Sequence, residues 1–194
     1  MIHVGLKRII SQQGVIPGEH SMVIHSARLT LRSLREDDWR NLQHIWSDFE
    51  HSEYGQYDVP HPLSDDDVRE LTRKLAGYGL SFAVCLTQRH ETMIGHVDFH
   101  PEKDGLDIGY CFDSAYYRQG YAKEGIQALI RLFSMIGIHK FTAGTGMANV
   151  PSVRLLESLG FCRIGSRTGM GTYRRGCSRR CRRRGVCRHA EPTV

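Results

Sequence analysis

Residues 28–34 (RLTLRSL) alternate apolar and polar side chains, the period of a strand with one buried face. Ser33 precedes a stretch, about 35–47, that places Trp39, Leu42, Ile45 and Trp46 on one helical stripe. Its first turn holds Glu36, Asp37 and Asp38, where carboxylates meet the positive end of the helix dipole. Residues 49–63 form a polar, aromatic loop with Tyr54, Tyr57 and two prolines. The run Ser64-Asp65-Asp66-Asp67 then starts a second helix that reaches about residue 76. Three strand-like runs follow at 81–87, 93–100 and 106–113. The turn signals Arg89-His90-Glu91 and Lys103-Asp104-Gly105 separate them, which predicts an antiparallel meander. Residues 120–136 carry Ala122, Ile126, Leu129, Ile130 and Phe133 at helical spacing, and 139–146 reads as a strand. A short helix over 151–159 has Pro151 in its first turn, Leu155, Leu156 and Leu159 apolar, and Gly160 at its end. A last strand opens at Phe161.

With 194 residues, 40% of them hydrophobic, the chain has the size of one globular domain. Residues 1–21, with Gly5, Gly14, Pro17, Gly18 and little periodicity, read as an N-terminal extension. The folded domain is expected over 22–168, and 169–194 as an Arg- and Cys-rich tail without order. No run approaches the ~18 apolar residues of a membrane span, and residues 1–13 lack a leader pattern, so a cytoplasmic protein with no membrane partner is expected.

The formal charge of +5 suggests nucleic acid until its location is considered. From Gly169 onward there are eight arginines against one acid, Glu191, so the remainder is slightly acidic. The basic balance therefore gives the folded body no basic face, and only the tail is open to weak nucleic-acid contact. Cys85, Cys111 and Cys162 lie in apolar, strand-like segments and read as reduced core residues. Cys177, Cys181 and Cys187, with His189, lack the close Cys-x-x-Cys pair of a zinc knuckle, and no metal is expected.

Two clusters carry chemistry. The first is Ile108-Gly109-Tyr110-Cys111-Phe112 followed by Tyr116-Tyr117-Arg118-Gln119-Gly120-Tyr121-Ala122-Lys123-Glu124. A diphosphate needs converging N–H donors, and a helix's first turn supplies them with the positive end of its dipole; Gly120 and Ala122 keep the approach open. The second cluster is Asn149-Val150-Pro151-Ser152, Leu155-Leu156-Glu157, then Leu159-Gly160-Phe161.

The order of elements and these clusters, over roughly residues 28–166, resemble the GNAT superfamily of N-acetyltransferases. The resemblance implies an α+β fold with a mixed, mostly antiparallel central sheet flanked by helices. It also implies acetyl-CoA as cosubstrate and an amine as acceptor, with monomer or dimer left open. The residues it assigns to the cofactor are Tyr110, Cys111, Phe112, Asp113, Tyr117, Arg118, Gln119, Gly120, Tyr121, Ala122 and Asn149. Tyr117 stands where the family usually has Gln or Arg. Ile-Gly-Tyr before Gln-Gly-Tyr-Ala, and Ser152 after Asn149, look most like the branch that acts on ribosomal-protein N-termini. Many relatives place a tyrosine acid seven residues after the Asn. Here that residue is Leu156, which leaves Ser152 to return a proton to the thiolate. The family's last strand leads into a hairpin that closes the sheet, and 169–194 shows no alternating pattern to supply one.

An α-amine near pKa 8 needs only ~1 kcal/mol to lose a proton at pH 7, against ~4.6 kcal/mol for lysine, so an α-amine acceptor tolerates a weak base. His96, Asp98 and His100 alternate along one strand face and could share a relay, with Asp98 and His100 the candidate catalytic groups. The loop with Asp48, Glu50, Glu53, Tyr54 and Tyr57 could bind a cationic amine. The alternative is a catalytically impaired acyl-CoA-binding protein, or one associated with RNA or the ribosome.

Overall fold

The computed structural model describes residues 22–57 and 60–176. Eight strands form one sheet: β1 Val23–His25, β2 Leu29–Ser33, β3 Ser81–Leu86, β4 Arg89–Glu102, β5 Gly105–Phe112, β6 Phe141–Gly146, β7 Cys162–Arg167 and β8 Met170–Arg175. Their spatial order is β1-β2-β3-β4-β5-β6-β8-β7, and every neighbouring pair is antiparallel except β5 with β6. Four helices cover the faces: α1 Trp39–Glu50, α2 Asp65–Tyr78, α3 Tyr121–Met135 and α4 Val150–Ser158. The architecture is the expected α+β one.

Each face of the sheet has its own core. On one side, Ile126, Leu129, Ile130 and Phe133 of α3 and Leu156 of α4 bury against Leu29, Leu31, Val84, Phe99 and Ile108. Gly125 lets α3 close tightly, since a Cβ there would already stand 3.4–3.6 Å from Leu31, Leu29 and Val84. On the other side, Trp39, Leu42, Ile45 and Trp46 of α1 and Val68 of α2 pack on Ala83, Cys85, Met93 and Cys111. The stripe read from the sequence is thus the buried face of α1.

The starts of α1 and α2 are held by polar contacts. Asp38, 3% exposed, accepts from both guanidinium nitrogens of Arg32 at 2.6 Å and from the Arg35 backbone N–H at 2.8 Å. This pins the start of α1 to β2, and the bidentate geometry makes the pair strong enough to bury. Ser64 caps α2 by accepting from the Asp67 N–H, and Gly79 at φ 77 ends it.

The structure departs from the sequence expectations at three places. Residues 36–38 form a separate 3-10 turn, so α1 begins at Trp39. The β3–β4 turn is Thr87-Gln88, because Leu86 already pairs with Arg89. The third departure moves the domain boundary. The sheet does not stop at residue 168; β8 occupies the space between β6 and β7 and pairs with both. Arg167 opposes Met170 across a two-residue turn in which Thr168 (φ 51) and Gly169 (φ 81) are both left-handed, the twist that suits a tight hairpin. The expected missing hairpin is therefore present.

Gly171 and Tyr173 are the buried residues of β8, and Tyr173 is 2% exposed within the α3-side core. Tyr173→Ala should lower the unfolding free energy by about 3 kcal/mol, the scale for truncating a buried aromatic. Chemical denaturation measures it, and a loss below about 1 kcal/mol would mean that β8 contributes little to the sheet.

Candidate active site

The parallel pair of strands does not stay paired. β5 and β6 register only at Leu106 with Phe141 and Asp107 with Thr142, after which β6 continues against β8 alone. Residues 108–112 of β5 keep β4 on one side, and their other edge runs on past the point where the β6 ladder ends. Such an edge offers N–H and C=O groups to an extended ligand.

Helix α1 anchors the chain beyond β5. Asp48 accepts from the Ser114 N–H at 2.7 Å and the Ser114 hydroxyl at 2.9 Å, and His44 Nε2 lies 3.2 Å from Asp113 Oδ2. Asp113 caps the turn Ser114–Tyr116 by accepting from the Ala115 N–H. Arg118 at φ 60 and Gly120 at φ 82 then turn the chain into α3, whose N-terminus has no side-chain cap. Arg28 of β2 holds this corner. It donates to the Gln119 carbonyl at 3.0 Å, pairs with Glu124 at 2.7 Å and lies over the Tyr121 ring. Gln119 turns back to the Ala115 carbonyl. No side chain caps the first-turn N–H groups of α3, which begins nine residues after β5 ends.

Tyr117 is half-buried. Burial, with the Cys111 thiol and the Asp48 and Asp113 carboxylates nearby, pushes its phenol well above the ordinary value, so it remains neutral. Burial alone would raise the Glu124 carboxyl, but hydrogen bonds from Ser26 and Arg28 hold it below the usual range.

Ser152 and Tyr110 come together across the other face: Ser152 Oγ is 2.8 Å from the Tyr110 hydroxyl. Asn149 caps α4, its Oδ1 accepting from the Ser152 N–H at 3.2 Å, and so sets the direction in which Ser152 points. Cys111 faces the α1 side and Phe112 lies across Gly95, where any Cβ would strike the ring.

The expected relay along β4 takes another form. His96 and Asp98 are buried rather than facing solvent. Trp46 Nε1, which can only donate, binds His96 Nε2 at 2.9 Å, so the His96 Nδ1–H is directed to Asp98 Oδ2 at 2.7 Å. Burial opposes charge on Asp98, but the His96 ring holds the carboxyl below its ordinary value. With both ring nitrogens engaged, His96 has no free position for an incoming proton. His100 is exposed, lies beside the Tyr78 ring and opposes Asp107, ~13 Å along the strand from Cys111 at 3.3 Å per residue. The structure therefore does not bring His100 to residues 110–113, although His100 lies near enough to Asp98 to help hold its carboxyl low.

Sequence reasoning missed Arg28, His44, Trp46 and His61 as site residues, and gave Glu124 no role beyond its place in the motif. Their partners are 11 to 96 residues away, where no periodicity reports them. Among the described residues no helix is long and apolar enough to cross a membrane, and no three His, Cys, Asp or Glu side chains gather as a metal site. The zinc reading of Cys177, Cys181, Cys187 and His189 lies outside the described residues. So does the nucleic-acid reading of the tail, apart from Arg174 and Arg175 in β8.

A parallel pair that parts and leads into a helix with no side-chain cap, in this element order, fits a coenzyme A-dependent acyltransferase. Residues 28–162 match the acetyltransferase (GNAT) domain, and the chain belongs to that family of acetyl-CoA-dependent N-acetyltransferases. The uncharacterized N-acetyltransferase YnaD of Bacillus subtilis (strain 168) is 26% identical over 147 residues, 74% of this chain and 85% of that protein. An acetyltransferase from Salmonella typhimurium that modifies the N-terminal serine of the 50S subunit protein L7/L12 superposes with a TM-score of 0.66 at 20% identity, covering 79% of this chain and 98% of its own. Spermidine N-acetyltransferase from Vibrio cholerae, in complex with CoA and spermine, gives 0.62 at 21% identity, covering 77% and 94%. At these identities the two structures share a fold and leave the acceptor open.

Glu124→Gln tests the corner. Because the folded carboxyl lies below its unfolded pKa of about 4.3, the stability it contributes is present above that value and lost as pH falls through the lower folded one. The wild type should melt higher than the variant at pH 7, and the gap should close toward pH 3. A gap independent of pH would show that the carboxylate charge is not what holds the corner.

Proposed function

We propose that the protein acetylates a primary amine, with a protein N-terminal α-amine as its acceptor class, by direct attack on acetyl-CoA. The observation that carries this reading is the parting of β5 from β6 after Asp107, followed by the N-terminus of α3, where no side chain caps the first turn. Tyr110, Cys111, Phe112 and Asp113 would hold the pantetheine arm as an added strand, with Asn149 facing it. Tyr117 to Ala122 would hold the diphosphate. A Cβ at Gly120 would meet only Arg28 Nη2, at 3.4 Å, so the space there suits a ligand.

Acetyl-CoA supplies an activated acyl group. A main-chain N–H of the β5 edge meets the developing oxyanion. Ser152 returns a proton to the departing thiolate, and the Tyr110 hydroxyl at 2.8 Å can replenish it. This replaces the tyrosine acid that Leu156 cannot be.

Acetyl-CoA should raise the melting temperature by mass action, and Gly120→Glu should abolish the shift. The variant combines a carboxylate facing the diphosphate with a side chain at positive φ. An unchanged shift in that variant removes the diphosphate from this loop. Coenzyme A release against a Ser- or Ala-initiated peptide, spermidine and an aminoglycoside then identifies the acceptor class; release with spermidine alone overturns the α-amine reading.

Ser152→Ala should lower turnover roughly 10- to 100-fold while leaving acetyl-CoA binding almost unchanged. This is at or below the usual yield of a strong general acid, because a thiolate is already a tolerable leaving group. Full turnover in the variant would leave Ser152 with only its place at the start of α4.

A further inference from the structure

The loop between α1 and α2 spans both lips of the parted strands. On the β5 side, Asp48 grips Ser114. On the β6 side, Tyr57 packs so closely on Gly146 that a Cβ there would stand 2.7 Å from Tyr57 Cβ. Between these anchors Gly55 lies against the Phe49 and Glu50 carbonyls, and the loop returns through His61.

His61 is held on three sides. Its backbone N–H and its Nδ1 both donate to Glu50 Oε1, at 2.9 and 2.8 Å. Its ring stacks on Trp46, with centroids 5.2 Å apart, and meets Phe49 edge-on at 5.8 Å. Among the described residues Nε2 makes no hydrogen bond, and the side chain is 22% exposed. The acceptor nitrogen of His61 therefore opens to solvent-accessible space while the rest of the ring is fixed. A carboxylate on Nδ1 and a free Nε2 is the arrangement that orients an imidazole as a base. Through Trp46 the ring sits over His96, which opposes Cys111 on β5.

We propose that His61, oriented by Glu50, is the base that deprotonates the acceptor amine, an assignment that rests on the acetyl-transfer reading above. The acceptor's ammonium gives one proton to His61 Nε2. The freed lone pair forms the C–N bond as the C–S bond breaks. The second nitrogen proton ends on the coenzyme thiolate through the Ser152 side, and His61 releases its proton to water. The groups facing His61 are Glu50, with His51 beyond it on α1, and the His96–Asp98 pair of β4 behind Trp46.

The test is His61→Gln, with Glu50→Gln as the weaker companion, assayed by coenzyme A release with a Ser-initiated peptide from pH 6 to 9. Both variants should keep the wild-type acetyl-CoA melting shift. At pH 6.5, His61→Gln should lose roughly 10- to 100-fold in kcat/KM, at or below the usual range for a general base. The deficit should shrink to a few-fold at pH 9, where the α-amine, with a pKa of about 8, deprotonates unaided. A deficit that stays constant with pH marks a structural role and overturns the assignment, as does full activity at pH 6.5. A wild type that binds acetyl-CoA but releases no thiol with the peptide or spermidine overturns the transferase reading and this assignment together. An active wild type with an equally active His61→Gln overturns only the assignment.

Discussion

The parting of β5 from β6 is the constraint on which the site depends. Two parallel strands that begin in register would ordinarily continue, since every further pair satisfies backbone groups on both. Here they are held apart from outside the sheet. His44 and Asp48 of α1 draw the chain after β5 toward that helix, Tyr57 packs against Gly146 at the end of β6, and β8 takes up the far edge of β6. A buried backbone group left without a partner costs ~1–3 kcal/mol. A strand edge that leaves its ladder is therefore tolerable only where water or another strand can reach it.

That constraint explains where the polar side chains of the domain are invested. The corner Arg28–Gln119–Glu124 and the grip of Asp48 on Ser114 are loops tied to rigid elements. They fix two backbone segments that have no strand or helix of their own to define them. Left-handed Arg118 carries a cost of order 1–3 kcal/mol for a non-glycine residue, and these neighbours over-determine it. The buried Arg32–Asp38 pair does the same for the start of α1, and through α1 for the loop that spans the parted strands.

Most of this architecture was legible from periodicity. Helices α1, α3 and α4 follow stripes that their burial repeats, whereas β2, read by alternation, and β3 and β4, placed by strand-like runs between turn signals, are buried on both faces. Strand β8 was not legible because its inward face is one glycine and one tyrosine, and its flanks are arginines that read as tail. The turn that launches it uses Thr-Gly where Asn-Gly or Asp-Gly is the readable signal. β1 is three residues on the sheet's edge and carries too little alternation to register. Of the site, the cofactor segments were visible because a glycine-led helix start has a local signature. The polarity of β4 was visible but its meaning was inverted. His96 and Asp98 read as a wet face, yet Trp46, fifty residues earlier, covers them and supplies the hydrogen bond that makes their burial affordable. His61 carried no signal at all, since its significance lies in three partners on α1.

The two faces of the sheet also separate the two proton transfers that the reaction needs. Successive β5 side chains point to opposite faces, so Tyr110 meets Ser152 of α4 while Cys111 lies under α1 and Trp46. In the proposed reaction an amine entering from the α1 side would lose its proton beside His61. The thiolate would then leave on the side where Ser152 meets Tyr110. A single group serving both steps would have to change protonation state and cross the sheet within one turnover. Splitting the roles lets each hydroxyl or imidazole remain in one state until it acts. It also relaxes the demand on the base, because an α-amine needs so little free energy to lose its proton at neutral pH. A partly buried histidine would therefore be sufficient where a lysine acceptor would call for a stronger or more deeply desolvated one.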